Sequence, residues 1–273
     1  MRQPMRLSPA AARWLIVAIL ILLWEALPRL GLVAELFLPP LSSTIAAAVT
    51  DWREYAAALL VTLYEVALAM VIACGGGILA GAAVGGFALT RNLLLPIFST
   101  LYAVPIVILY PVLTAWLGIG SESKIAFAGV FGFFPTMLGT AAGIRTIDPQ
   151  LLLAARSMGA SFPQRLARVI IPASIPTVLA GLRLGGALVI IGVVVSEMLT
   201  STAGIGYLVT RYRTILDSTH VFASVLLIIL LTVAFNALVR AVERRTVIWQ
   251  TAGRRGAGGG AEMTPAAVVP ASA

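Results

Sequence analysis

The chain has 273 residues, 60% hydrophobic and only 11% charged, with a mean hydropathy of +1.00. Soluble domains carry about 25% charged residues, so the composition excludes a soluble enzyme, a disordered chain and a disulfide-stapled secreted domain; the unbroken apolar runs disfavour an outer-membrane barrel, whose strands alternate over about 10 positions. The net charge of +8 comes from arginines placed mainly between apolar runs, which is explained more simply by membrane topology than by nucleic-acid binding.

A hydrocarbon core of about 30 Å takes about 20 apolar residues as helix. Six segments meet this length, roughly 14–32, 59–89, 93–117, 125–144, 175–199 and 221–242. The first follows Arg2, Arg6 and Arg13 and is long without a small-residue cleavage site, so it reads as an uncleaved anchor. With the N-terminus inside, Arg29, Arg53, Lys124, Arg211 and Arg213 fall outside, and every other Lys and Arg, including Arg91, Arg145 and Arg183, falls inside. That bias places both termini in the cytoplasm of a multi-pass inner-membrane protein. Residues 42–55 read as one short outer helix lying along the surface, 1–250 as a single transmembrane domain, and 251–273, rich in Gly, Ala and Pro, as a disordered cytoplasmic tail.

Along the second span, Gly77, Gly81 and Gly85 recur at the small-xxx-small spacing, and Gly139/Gly143 and Gly181/Gly185 repeat it later. Such glycines let another helix backbone approach, within the chain or across a subunit interface. The third span carries Pro105 and Pro111 beside Tyr102 and Tyr110, the makings of either a gate or a packing kink. Charged residues inside spans are costly. Glu25 and Glu65 are placed to reach the outer interface, and Arg183 either meets an anion or snorkels to the inner one. Ser196 and Glu197 lie within an apolar run, where they either line a pathway or anchor the end of the fifth helix, and Glu197 has no evident charged partner there. Cys74 is the only cysteine and His220 the only histidine, so the sequence offers no metal cluster and no catalytic residue set.

The stretch 145–174 carries its own local code. Asp148 before Pro149 is an N-cap with proline at the first helical position. Good helix formers run to Met158, and Gly159 supplies a left-handed stop. Ser161 and Gln164 make a capping-box pattern that opens a second short helix, which Pro172 and Pro176 are expected to end before the fifth span. The prediction is a helix, a glycine turn and a second helix with Leu, Met and Phe partly exposed. Three roles fit: a cap packed on its own protein, a DNA-reading element (disfavoured by its double tether to the bilayer), or a docking site for a cytoplasmic partner.

Ala154-Ala155, three residues, Gly159 and then Val169-Ile170-Ile171-Pro172 resembles the signature loop of permease subunits of binding-protein-dependent ABC importers. Ile147 to Leu151, Ala155 to Ser161, the run Ile190 to Leu199 containing Glu197, and Gly204-Ile205-Gly206-Tyr207-Leu208 are similar to its nitrate/sulfonate/taurine (NitT/TauT) branch. The resemblance implies an all-α membrane protein, a type I importer permease bundle of six helices. Its 145–174 loop would be a coupling helix seated on a separate ATPase through Leu153, Ala154, Ala155, Arg156, Ser157, Met158, Gly159 and Ala160. Leu153 stands where the family usually has Glu, so the polar contact a carboxylate would make there is missing.

The resemblance further implies two permease copies, two ATP-binding subunits and an extracytoplasmic binding protein. The cargo would be a small anion such as a sulfonate, taurine or nitrate, moved by alternating access; Tyr102, Pro105, Tyr110, Pro111, Ser196 and Glu197, which stand out by their place in the spans, are the candidates to line its pathway. Consistent with a non-enzymatic subunit that binds no cofactor, the only lysine, Lys124, falls in an outer loop, so the chain has no P-loop, and ATP and Mg would be used by the partner. An ion-coupled secondary transporter is the alternative; it should show in-membrane ionisable pairs and internal repeats.

Overall fold

The computed structural model describes residues 8–257, apart from the side chains of residues 9, 10 and 245–257. Arg2, Arg6 and residues 258–273 of the expected tail lie outside the described residues, and the last helix is continuous through Ala257.

Helix α1 (Pro9–Arg29) starts where the Ser8 hydroxyl accepts the Ala11 N–H at 3.2 Å and proline occupies the first position. Most of its apolar side chains are exposed, Trp14 at 74%, as befits a helix whose surroundings are lipid. Its far end is tied down: the Trp24 indole donates to the Pro39 carbonyl at 3.0 Å, and Glu25 accepts from the Ser42 N–H and hydroxyl at 3.0 and 2.8 Å. Glu25 thereby satisfies an orphan donor of the short helix α2 (Leu41–Thr50).

The expected outer helix over 42–55 is two pieces. The chain turns at Asp51, and the second span begins at once as α3 (Trp52–Met70). It continues through a π-helical stretch (Val71–Gly76) into α4 (Gly77–Gly86), an apolar rod of 35 residues that ends where Phe87 adopts extended backbone. The third span is a broken pair, α5 (Ala88–Ala103) and α6 (Leu109–Leu117), bent by 74°. Pro105 accounts for the break, because the residue before proline is driven from helical to extended backbone, and Val104 has ψ 134°. Pro111 sits in the first turn of α6, where a missing N–H costs nothing.

Helix α7 (Ser121–Arg145) and α10 (Ile171–Leu199) form the centre of the bundle. Their backbones touch: a Cβ on Gly139 would come within 2.6 Å of the Gly181 Cα, and one on Gly192 within 3.0 Å of the Ala128 Cα. On the other side of α7 lies α4, with Gly77 against Thr136, Gly81 against Thr140 and Gly85 against the Ala141 backbone. Val66, Ala69, Ala73, Ala128, Val189, Ile190 and Val193 fill the space where α3, α7 and α10 meet. Helix α11 (Ile205–Thr214) and α12 (Ser218–Ala257) complete the fold. No strand occurs among the described residues.

Between α7 and α10 run α8 (Pro149–Ser157) and the single turn α9 (Phe162–Arg165). Pro172 and Pro176 do not end the second short helix as the sequence suggests. Helical backbone is continuous from Phe162 to Leu199: a π-helical segment, Leu166–Ile170, is separated from Pro172 by Ile171 alone, and Pro176 is carried within α10. A widened turn there removes the need for the i−4 hydrogen bond that proline cannot make.

Candidate functional site

At the end of the bundle reached by the C-terminus of α7, the 145–174 loop is rigidly built. The Asp148 carboxylate accepts the Gln150 N–H at 2.9 Å, and Pro149 takes the first helical position. The Ala160 N–H returns to the Ala155 carbonyl at 3.0 Å and the Gly159 N–H to that of Arg156 at 2.9 Å, a complete Schellman closure. Gly159 has φ +74°, the conformation this closure demands and a side chain resists. The Ser161 N–H then donates to Gln164 Oε1 at 2.8 Å and opens α9.

Of the expected docking residues, Ala155 packs inward at 4% exposure. Leu153, Met158 and Phe162 project outward at 65%, 80% and 57%. Arg156, Ser157 and Gly159 are exposed and Ala160 half-buried. Apolar side chains this exposed on so well-capped an element make a patch whose natural complement is another surface.

The expected pathway residues separate into two groups. Tyr102, Pro105 and Pro111 are exposed along the broken span. Tyr110, Ser196 and Glu197 are packed away. Tyr110 is 2% exposed, lies edge-on to Phe127 at 5.2 Å and donates to the Thr200 carbonyl at 3.2 Å. Ser196 returns its hydroxyl to the Val193 carbonyl at 2.7 Å. Glu197 accepts from the Thr62 hydroxyl and from the Gly206 N–H, each at 2.7 Å, while the Ile205 N–H donates to Thr62 Oγ1 at 2.9 Å. The carboxylate thus caps the N-terminus of α11 and ties it to α3, which favours the anchoring role over pathway lining. Gly204 (φ +102°) brings the chain so close that any side chain there would overlap the Glu197 carboxylate.

Two sequence readings are corrected at this end. Lys124 is not in a loop but in the first turn of α7, 4% exposed; Glu65 does not reach the interface but is fully buried. They form a salt bridge at 2.6 Å. Ser121 also donates to the same Glu65 oxygen, at 2.8 Å, and Lys124 reaches Ser201 at 3.0 Å in the link between α10 and α11. Burial is tolerated because the charges neutralise each other and gain hydrogen bonds beyond the pair. The pair lies 59 residues apart in sequence, which hid it; the one available signal was Ser-Glu-Ser-Lys running directly into an apolar span, the pattern of a helix start rather than a loop.

Further out, Arg211 and Tyr212 of α11 hold Glu54: the arginine pairs with one oxygen and the phenol donates to the other at 2.6 Å. The Glu54 charge raises the Arg211 pKa, and loss of hydration together with that carboxylate raises the Tyr212 phenol. The His220 ring lies 3.0 Å from Asp51 and 2.7 Å from Asp217. Partial burial works against ionised Asp217, but hydrogen bonds from His220 outweigh it and hold its pKa below the ordinary value. Arg183, rather than snorkelling alone, pairs with Glu243 of α12.

Helix α5 differs from its neighbours in having no buried residue. Wound at 3.6 residues per turn, it places Arg91, Asn92, Leu95, Pro96, Ser99 and Thr100 on one half and Leu93, Leu94, Ile97 and Leu101 on the other. A groove runs between the first half and α7, with one cavity of about 610 Å³ bounded by Arg91, Asn92, Leu95, Pro96 and Arg145. A second of about 450 Å³ shares Leu95 and Arg145 and extends past Ser99 and Thr146.

Comparison with known proteins fits this architecture. The profile of the family described as binding-protein-dependent transport system inner membrane component matches residues 72–248. SsuC of Bacillus subtilis, named as an aliphatic sulfonates transport permease protein, is 29% identical over 242 residues, 86% of each chain. The taurine transport system permease protein TauC of Escherichia coli K12 is 30% identical over 244 residues, 85% of this chain and 87% of that one. The riboflavin transport system permease protein RibX of Chloroflexus aurantiacus is 31% identical over 157 residues, covering 58% and 59%. Among solved structures, a chain of the MetNI methionine ABC transporter in inward-facing form shares the fold, with a TM-score of 0.52 at 21% identity over 70% of this chain and 94% of that one. The chain belongs to the binding-protein-dependent inner-membrane components, the permease subunits of ABC importers, and is a multi-pass membrane protein.

Proposed function

We propose that this permease moves a small sulfonate-type anion, delivered by an extracytoplasmic binding protein, and that it works as a pair of copies on two ATP-hydrolysing subunits. The observation that carries the coupling is the outward patch of Leu153, Met158 and Phe162 on a loop locked by capping and the Schellman turn. A rigid lever with an apolar face can transmit the closing of an ATPase dimer, where a flexible loop would absorb it. Helices α8 and α9 would ride in a cleft of the ATPase, and the α7–α10 pair, continuous with the loop on both sides, would rock with them. ATP and Mg belong to the partner. Helix α5, with its polar half unburied in a membrane-spanning segment, would line the water-filled pathway in the inward-facing state.

The relatives named for sulfonates and taurine support the cargo class, and the relative named for riboflavin shows that the family's cargo varies. The Glu65–Lys124 pair is the in-membrane ionisable pair that an ion-coupled carrier would require, but its partners are engaged in holding the α10–α11 link.

The reading is tested by gentle purification of the tagged chain from its native membrane, with uptake of labelled ethanesulfonate measured in the same cells. A stoichiometric P-loop partner and ATP-dependent uptake are expected. Gly159→Val, which forces a β-branched residue into left-handed backbone at a cost of roughly 1–2 kcal/mol, should abolish uptake while leaving membrane insertion intact. Uptake that persists without ATP and follows an ion gradient would overturn the reading in favour of the carrier.

A further inference from the structure

The geometry points to an oxyanion-binding site at the loop end of the α5–α7 groove, formed by Arg91 and Arg145, through which the transported anion leaves. This rests on the reading of the protein as an anion importer and names the residues that would recognise the cargo's charged end. Two guanidinium groups from different helices border one cavity of about 610 Å³, Arg91 half-buried and Arg145 exposed.

Neither arginine is ion-paired among the described residues. The carboxylate nearest to Arg145 in sequence, Asp148, caps α8 by accepting the Gln150 N–H and makes no salt bridge among the described residues, and Glu243 pairs with Arg183. Two unpaired like charges facing one space repel, and a sulfonate, carboxylate or phosphate group relieves that repulsion while meeting two planar donor forks. Asn92 and Ser99 add uncharged donors along the same groove, and Leu95 supplies an apolar wall for a short alkyl chain. A site on the exit side that holds the anion loosely would draw it out of the bundle without trapping it.

A phospholipid headgroup presents the same chemistry, so the test has to separate the two sources. The complete transporter, as purified from its own membrane, is placed in nanodiscs of phosphatidylcholine, and ¹⁹F line broadening of 2,2,2-trifluoroethanesulfonate is recorded. The wild type should broaden the probe, and excess ethanesulfonate should reverse it. R91Q/R145Q should weaken binding by about five-fold or more, R91K/R145K, which keeps the charge but not the donor forks, should fall between that variant and the wild type, and R240Q, an exposed arginine on α12, should behave as wild type. If phosphatidylglycerol abolishes probe binding in the wild type, and lipid retained by the wild type is lost from R91Q/R145Q, the site belongs to lipid and the exit role is overturned. Undiminished binding by R91Q/R145Q overturns the site itself. Copurification of the ATPase with that variant shows whether the importer reading stands when the inference fails.

Discussion

Each oxygen of the Glu197 carboxylate has a donor from a different element, the Thr62 hydroxyl on α3 and the Gly206 N–H at the start of α11. Its neighbour pair is less complete: Lys124 and Ser121 both bond one oxygen of Glu65 and leave the other without a hydrogen bond. Breaking a buried pair by removing one charge strands the other and costs about 3–5 kcal/mol, whereas replacing both by apolar groups is often neutral. Lys124→Met should therefore lower the thermal midpoint of the detergent-purified protein sharply, and Lys124→Met with Glu65→Leu should recover most of it. Equal losses from the single and double changes would show that the pair itself, not the stranded charge, sets the stability. At the rim of the same end, Asp217 has a depressed pKa, so its stabilising contribution is present above the ordinary carboxylate pKa of about 3.9 and is lost as pH falls through the lower folded value. Asp217→Asn should melt below the wild type at neutral pH, with the gap closing only in strong acid; a gap independent of pH would assign the effect to packing.

At the scale of elements, the sequence displayed whatever is encoded locally. Asp148-Pro149, Gly159 and the Ser161/Gln164 pair each act within a few residues, and each produced the cap or turn its chemistry dictates. Pro105 likewise broke the third span, because its effect falls on its immediate neighbour. Pro172 and Pro176 misled because neither stops the helix: Pro172 falls in the first turn of α10, after a π-helical stretch, and Pro176 is carried inside α10. The glycine spacing announced close helix contacts without naming partners, and the fold supplies them as α4 on α7 and α7 on α10. This yields a graded expectation. Gly139→Val would drive a side chain into the Gly181 backbone and should prevent recovery of folded protein, whereas Gly75→Ala, with nothing within 4 Å, should leave the yield and melting point unchanged. Similar losses from both would mean that helix flexibility, rather than contact, is what the glycines provide.

For the whole molecule, the composition and span lengths were enough to specify a helical bundle, and among the described residues five continuous helices plus one broken pair are long and apolar enough to cross a membrane. The long-range polar chemistry was not legible. Glu65 read as an interface residue and Lys124 as part of an outer loop, and only the packing of α3 on α7 turns them into one buried pair. The division of the pathway residues was hidden likewise, because burial of Tyr110 depends on α6 folding back onto α7 after the 74° bend.

The central claim is that the exposed face of α8 and α9 is the seat of a separate ATPase, and site-directed cross-linking tests it most directly. Cys74 is the only cysteine, so Met158→Cys in a Cys74→Ala background offers a single reactive thiol at a side chain that is 80% exposed. In native membranes a short bifunctional reagent should link it to one polypeptide carrying a P-loop, with a yield that changes between nucleotide-free and ATP-bound conditions. Cross-links to lipid or to this chain alone, while the same ATPase is present and copurifies, would contradict the account.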